Sequence, residues 1–257
     1  MSPRRKPMRP ARRQAEICDL VARRGEVTVD SLAQKFDISP ETIRRDLSLL
    51  DENGRVRKVH GGAKSVTFLG EGEFEARMRR NVLAKRLIAE KLVREITPHQ
   101  TLFMDTGSTT LFCAEALAHT RDLTIITNST LIAAAFAKGR GDADIFLLGG
   151  RYRKDNAQTV GSEAIGQINA YHADRAILTV GALSTYGIMD YSSHEAQIAR
   201  AMVKAASQVT IVADHTKVNQ VASFKVCNLD DIQMLITDRI SDQGLIDVLK
   251  KNRVAIR

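Results

Sequence analysis

Residues 39–47 read SPETIRRDL, two adjacent arginines set early in a short helix that opens on a firm start signal. Ser39 suits the N-cap, because its hydroxyl accepts from the orphan amides of the first turn. Pro40 follows at the first helical position, where its fixed φ fits and its missing N–H costs nothing. Proline also keeps the residue before it extended, as a cap must be. Ile43, Leu47 and Leu50 then recur at i, i+4 and i+7 and make one apolar face. Arg45, Glu41 and Ser48 point roughly opposite that face, with Thr42 and Arg44 on its flanks. Taken alone, this is an ordinary core-facing helix with a solvated back. Its neighbours decide otherwise.

Upstream, Ile17, Leu20 and Val21 set a helical stripe that ends near Gly25. Thr28 caps a second stripe at Leu32, Ala33 and Phe36, and residues 37–39 form a tight turn with Ile38 tucked between helices. Downstream, Asn53 and Gly54 are a stop signal. The run RVRKVHGGA at 55–63 alternates Val56 and Val59 with basic residues and closes on two glycines, which predicts a small hairpin. Three helices, a short turn before the third, then a basic hairpin make a winged helix-turn-helix. Its third helix would enter a major groove, where an arginine can pair bidentately with guanine while neighbours grip phosphates. Arg57, Lys58, His60, Gly61 and Gly62 would carry the wing towards the DNA backbone or the minor groove.

The charge distribution agrees. Of the net +8 over 257 residues, residues 1–67 hold 15 Lys/Arg against 9 Asp/Glu, net +6. Residues 68–257 hold 23 against 21, net +2. Basic charge concentrated in a quarter of the chain is the footprint of a polyanion. The apolar runs, such as LIAAAFA at 131–137, are far too short to span a bilayer, and no signal-peptide core follows the basic N-terminus. Cys18, Cys113 and Cys227 are odd in number, far apart and in apolar contexts, which predicts buried free thiols in a reducing cytoplasm. The six histidines never pair at ligand spacing, so neither a metal nor a cofactor is expected. Residues 1–12, rich in arginine and proline, are expected to be a disordered basic arm.

The stretch VTVDSLAQKFDISPETIRRDLSLLDENGRVRKVHGGA, residues 27–63, resembles nearly end to end the DNA-binding domain of DeoR-type bacterial transcriptional repressors. The resemblance implies DNA contact at Thr42, Arg44 and Arg45 and around His60, Gly61 and Gly62. Ser39, Pro40, Arg57 and Lys58 complete the expected DNA-binding set.

Beyond residue 67 the pattern changes. Residues 74–96 read as one long amphipathic helix with Leu83, Leu87, Ile88, Leu92 and Ile96 on one side, its first half linking the domains. The runs TLFMD, LTIITN, DIFLLGG, RAILTVG, VTIVAD and MLITD then read as strands. Helical patterns at 109–118, 129–138, 161–170, 195–206 and 241–252 separate them, which predicts a doubly wound α/β sheet. The expected domains are thus 1–12 (arm), 13–67 (winged helix), 68–97 (linker and connecting helix) and 98–257 (α/β).

In such sheets ligands sit at the carboxyl ends of strands. There MDTGSTTLF, residues 104–112, offers Gly107 for tight turning and Ser108, Thr109 and Thr110 at a helix N-terminus, an anion cradle suited to phosphate. TNS at 127–129, LGGRY at 148–152 and ADHTK at 213–217 end other strands in the same style. These runs resemble the sensor domain of DeoR-type regulators, which is similar to ribose 5-phosphate isomerase. The resemblance implies that a phosphorylated sugar or polyol contacts Asp105, Gly107, Ser108, Thr109, Thr110, Thr127, Asn128, Gly149, Gly150 and Lys217. Asp105 would repel phosphate, so a sugar hydroxyl is its expected partner. Arg151, Tyr152, Arg153, Tyr191 and His194 are candidates for the specificity side.

An isomerase fused to a DNA-binding module is the rival. Its chemistry needs a positioned general base and a group to stabilise an oxyanion. Where the isomerase pattern carries carboxylates, this chain reads VGAL at 180–183, with Val180 and Leu183 in their places, and no lysine occurs between Lys154 and Lys204. Glu195 alone survives. The expectation is therefore no catalytic residue: a cytoplasmic, homo-oligomeric repressor of a sugar or polyol operon, released from operator DNA by a phosphorylated effector.

Overall fold

The computed structural model describes residues 10–24, 26–53, 55–64 and 73–257. The chain divides into two compact units, Met1–Glu71 and Gly72–Arg257.

In the first unit, α1 (Pro10–Arg24), α2 (Val29–Phe36) and α3 (Pro40–Glu52) surround one core. Ser39 caps α3 as read: it is extended, and its hydroxyl accepts from the Thr42 amide at 3.3 Å. Ile43, Leu47 and Leu50 are buried against Ile17, Val21 and Leu32. α1 starts inside the stretch expected to be a disordered arm, so residues 10–12 are helical; residues 1–9 of that arm lie outside the described residues, as does Gly54. The cause is tertiary. Arg13 Nε donates to Asp46 Oδ2 at 2.6 Å, both side chains buried, and Gln14 Nε2 donates to Asp46 Oδ1 at 2.9 Å.

The expected hairpin is β2 (Arg57–Val59) with β3 (Gly62–Lys64). A third strand, β1 (Glu26–Thr28), was not read from the sequence; it pairs antiparallel with β3, giving the order β1-β3-β2. At three residues it is too short for an alternation to show. The two glycines have separate reasons. Gly61 turns at φ +78°, in the left-handed region, whereas a Cβ on Gly62 would stand 2.1 Å from the Val27 carbonyl oxygen of β1.

The second unit opens with a correction. The helix expected over 74–96 is two helices, α4 (Phe74–Arg79) and α5 (Val82–Val93). Arg80 is extended and Asn81 sits at φ 52°, a left-handed conformation that asparagine tolerates. The buried Lys85 ammonium donates to the Arg77 and Arg80 carbonyls, which the end of α4 leaves open. Ile88, Leu92 and Ile96 are buried as read, but Leu83 is 82% exposed and Leu87 40%.

Seven parallel strands follow in the order β15-β14-β12-β9-β4-β5-β6. They are β4 (Thr101–Met104), β5 (Thr124–Thr127), β6 (Asp144–Leu147), β9 (Ala173–Leu178), β12 (Ala206–Val212), β14 (Met234–Ile236) and β15 (Ala255–Ile256). The six strands expected are all present; β15 was missed. Side chains alternate between two buried faces: Leu102 and Met104 pack with α5, α6 (Ser108–Leu117) and α7 (Thr130–Lys138). Phe103 packs on the other face with α8 (Ser162–Asn169), α9 (Ser193–Lys204) and α10 (Gln243–Lys251). The sheet is doubly wound: the chain runs outward from β4 through β5 to β6, then returns to β4's other side at β9. That reversal is a topological switch point.

Two small antiparallel sheets were not anticipated. One is β7 (Arg151–Arg153) with β8 (Gln158–Val160); the other is β10 (Ala182–Ser184), β11 (Gly187–Asp190) and β13 (Phe224–Cys227). Cys113 and Cys227 are buried free thiols as expected, while Cys18 is only half-buried. Among the described residues no helix is long and apolar enough to cross a membrane.

Candidate functional site

Half of the DNA-facing candidates line one groove of the first unit. The groove, of about 330 Å³, is lined by Arg44 of α3, Val29 and Asp30 of α2, and Lys58, Val59, His60, Gly61 and Gly62 of the wing. Helix and wing are joined directly: Lys58 Nζ donates to Ser48 Oγ at 2.8 Å, and its amide to Asp51 Oδ1 at 3.0 Å. Arg44 reaches Glu41 at 3.3 Å on the exposed surface. Arg45 and Arg57 are exposed and stand outside the groove, as do Ser39, Pro40 and Thr42. Thr42 Oγ1 lies 2.9 Å from Ser39 Oγ, so both hydroxyls serve the cap. The buried Arg13–Asp46 pair beneath this surface was missed. Its signal was Asp46 itself, a carboxylate on the apolar side of α3 that needs a buried cation.

The second unit brings its candidates to the carboxyl edge of the sheet. The run at 105–110 leaves β4 beside residues 179–181, which leave β9, so it sits at the switch point. Asp105 Oδ1 accepts from the Thr179 amide at 3.0 Å, bridging the two strand ends. Gly107 does not supply tight turning as expected. Its φ of −177° is ordinary extended backbone, and the demand is space: a Cβ would meet Thr179 Cγ2 at 2.1 Å. Gly107 also leaves the start of α6 without a side-chain cap, unlike α7, α9 and α10, which Ser129, Ser192 and Asp242 close. An uncapped helix N-terminus at a strand's carboxyl end is where an anion is stabilised by open amides and the helix dipole. Ser108, Thr109 and Thr110 line that first turn and are buried.

Thr127 and Asn128 end β5 in polar bonds. Thr127 Oγ1 donates to the Met104 carbonyl at 2.7 Å, tying β5 to β4. Asn128 Nδ2 donates to the Thr159 carbonyl at 3.0 Å and to Gln158 Oε1 at 3.3 Å. Asn128 Oδ1 and Thr106 Oγ1 are buried without a hydrogen-bond partner. Orphaned buried polar atoms are rare in folded chains and ask for a partner from outside. Gly149 and Gly150 lie on the exposed turn after β6, where the Gly149 amide donates to Gln167 Oε1 at 3.0 Å and Gly150 has φ +130°. Lys217 stands beside Asp214 in the loop after β12. Burial pulls the Asp214 carboxyl up, but the Thr216 hydroxyl, Lys217, the Thr216 amide and Asn81 outweigh it and hold it below the usual carboxylate range.

Of the specificity candidates, Arg151 lies 3.5 Å from His194 Nε2, Arg153 pairs with Asp155, and Tyr152 is exposed. Glu195 Oε1 accepts from Asn156 and Gln158, a linkage the sequence did not show. Val180 and Leu183 are buried in the apolar core, so no carboxylate chemistry is available at those positions. Burial pushes the Cys227 thiol up to about 12, far from a nucleophile. Among the described residues no three His, Cys, Asp or Glu cluster as a metal site.

Residues 80–239 match the DeoR C terminal sensor domain, and residues 13–68 the DeoR-like helix-turn-helix domain. The glycerol-3-phosphate regulon repressor of Haemophilus influenzae is 32% identical over 250 residues, 97% of each chain. The transcriptional repressor AccR of Agrobacterium fabrum is 34% identical over 88% of each, and the repressor CsqR of Escherichia coli 30% over 95% of this chain and 94% of its own length. These relatives are regulators, not enzymes. A ribose 5-phosphate isomerase in complex with phospho-erythronic acid overlaps 52% of each chain at 14% identity and a TM-score of 0.39, too distant to carry residues or activity across.

Proposed function

The chain belongs to the DeoR family of transcriptional repressors, and on that footing we propose that it represses a sugar or polyol catabolic operon and leaves its operator when a phosphorylated sugar or polyol occupies the α/β unit. Arg44 and Arg45 of α3 read base edges of double-stranded operator DNA, and the wing with Arg57, Lys58 and His60 holds the backbone. The repressor works in the cytoplasm as a homo-oligomer. One observation carries the effector reading: the helix N-terminus at the switch point lacks a side-chain cap, beside a buried threonine hydroxyl and asparagine oxygen that lack partners. Phosphate suits the first, and sugar hydroxyls suit the second. A relative named for the glycerol-3-phosphate regulon supports the same chemical class.

The test is release of operator DNA, selected from random duplexes, by a panel of phosphorylated and unphosphorylated tetroses, pentoses, hexoses and polyols. One phosphorylated compound should release it, and at about 100 times its Kd should stabilise the protein by about 2.7 kcal/mol. Lys217→Gln should hold DNA normally and need about tenfold more effector, as loss of one charged contact implies. Release by free sugars as well as by their phosphates, or by neither, would overturn the proposal.

A further inference from the structure

Behind Asn128 runs a chain of polar side chains that reaches the helix nearest the link to the DNA-binding unit. Asn128 Nδ2 donates to Gln158 Oε1 at 3.3 Å, and Gln158 Nε2 donates to Glu195 Oε1 at 3.0 Å. Asn156 Nδ2 donates to the same Glu195 oxygen at 2.7 Å, and Arg77 Nη2 of α4 donates to Asn156 Oδ1 at 2.9 Å. Arg77 is buried, and its partner Asn156 lies 79 residues away in sequence.

The order of donors is not free. Guanidinium only donates, and the Glu195 oxygen that meets both amides accepts from each. Arg77 therefore turns the Asn156 oxygen towards itself and sends the Asn156 amide to Glu195. Glu195 in turn demands the amide of Gln158, which leaves the Gln158 oxygen facing Asn128. Asn128 answers with its own amide, held a second time by the Thr159 carbonyl at 3.0 Å. What remains is Asn128 Oδ1, buried and without a partner, an acceptor that only a donor from outside can satisfy.

We propose that Arg77 is a positioning residue of the effector site: through Asn156, Glu195 and Gln158 it holds Asn128 so that Asn128 Oδ1 takes a hydrogen bond from an effector hydroxyl. This rests on the reading that the carboxyl edge of the sheet holds a phosphorylated polyol or sugar, and it adds which end of that ligand is read here. The phosphate goes to the uncapped start of α6; the hydroxyl goes to Asn128.

The experiment measures binding of glycerol 3-phosphate, ribitol 5-phosphate, sorbitol 6-phosphate and inorganic phosphate to the full chain by calorimetry. Arg77→Met keeps the apolar stem and removes the guanidinium. It should weaken the best polyol phosphate about tenfold while leaving inorganic phosphate within roughly twofold, since only the hydroxyl contact is disturbed. Arg77→Lys, still a pure donor, should restore part of the loss. Asn156→Leu cuts the same relay one step nearer the site and guards against a folding loss in Arg77→Met; it should show the same split. Equal weakening of phosphate and polyol phosphate in both variants would mean a merely structural role and overturn the proposal. So would wild-type affinity for the polyol phosphate in both, and in that case the sugar-phosphate reading itself would stand. If the wild-type chain binds none of the four, the polyol-phosphate form of that reading falls and this proposal with it.

Discussion

Arg44 and Arg45 are neighbours in sequence with different surroundings. Arg44 lines the groove shared with the wing and is paired with Glu41, whereas Arg45 is exposed outside the groove on the same helix. A guanidinium without an internal carboxylate loses least when it turns to a base edge, so Arg45 is the better candidate for bidentate recognition. Arg45→Ala should cost about 1–3 kcal/mol of operator binding and relax preference at one base pair. Competition titrations against single-base operator variants check this; unchanged affinity would remove Arg45 from the recognition set. The exposed arginines were legible in the sequence because they break no pattern of burial. Arg13 was not, since its partner Asp46 comes from a different helix and only the fold brings the two together.

At the scale of elements, caps and strands were legible where the cause is local. Ser39, Thr28 and the six apolar runs fall into this class. The connecting helix was not, because its break is held by contacts between elements: Lys85 folds back onto the Arg77 and Arg80 carbonyls, and Asn81 meets Asp214 at 3.3 Å. The loop after β12 therefore ties itself to the bend, and the tie depends on charge. Asp214 is held below its ordinary carboxylate value, so its contribution is full above that range and is lost as pH falls through its folded value. Asp214→Asn should lower stability at neutral pH by about 1.5–3 kcal/mol, the worth of hydrogen bonds to a charged group. The gap between variant and wild type should close in acid. Denaturant unfolding at a series of pH values reads it; a constant gap would mean that the charge contributes nothing.

For the whole molecule, one winged helix offers too few base contacts for specific repression, so two copies should read paired half-sites. Leu83 and Leu87, exposed on α5, are the apolar surface that such pairing could cover. Leu83→Glu should lower the association constant in sedimentation and weaken binding to a two-site operator while leaving a half-site unaffected. A wild-type chain that sediments as a monomer at micromolar concentration, yet holds the full operator tightly, would defeat this. The alternation that announces a parallel sheet was plain in the sequence; the order of its strands was not, because neither hydrophobic period nor loop length records on which side the chain returns.

The return of the chain to the far side of β4 has a consequence for how the protein is made. β4 is the first strand of the sheet to be synthesised, β5 is the next, and β4's other neighbour, β9, is made only after β6 and the β7–β8 hairpin. Until then Leu102, Phe103 and Met104, fully buried in the finished protein, belong to a strand with one edge unpaired. Open apolar edges recruit other strands, and long-range parallel pairing is slow. A nascent chain halted in that interval would carry an open apolar edge on a strand that the finished sheet flanks on both sides, so slower translation there should lower the soluble fraction, read from matched messages that differ only in codon speed between β5 and β9.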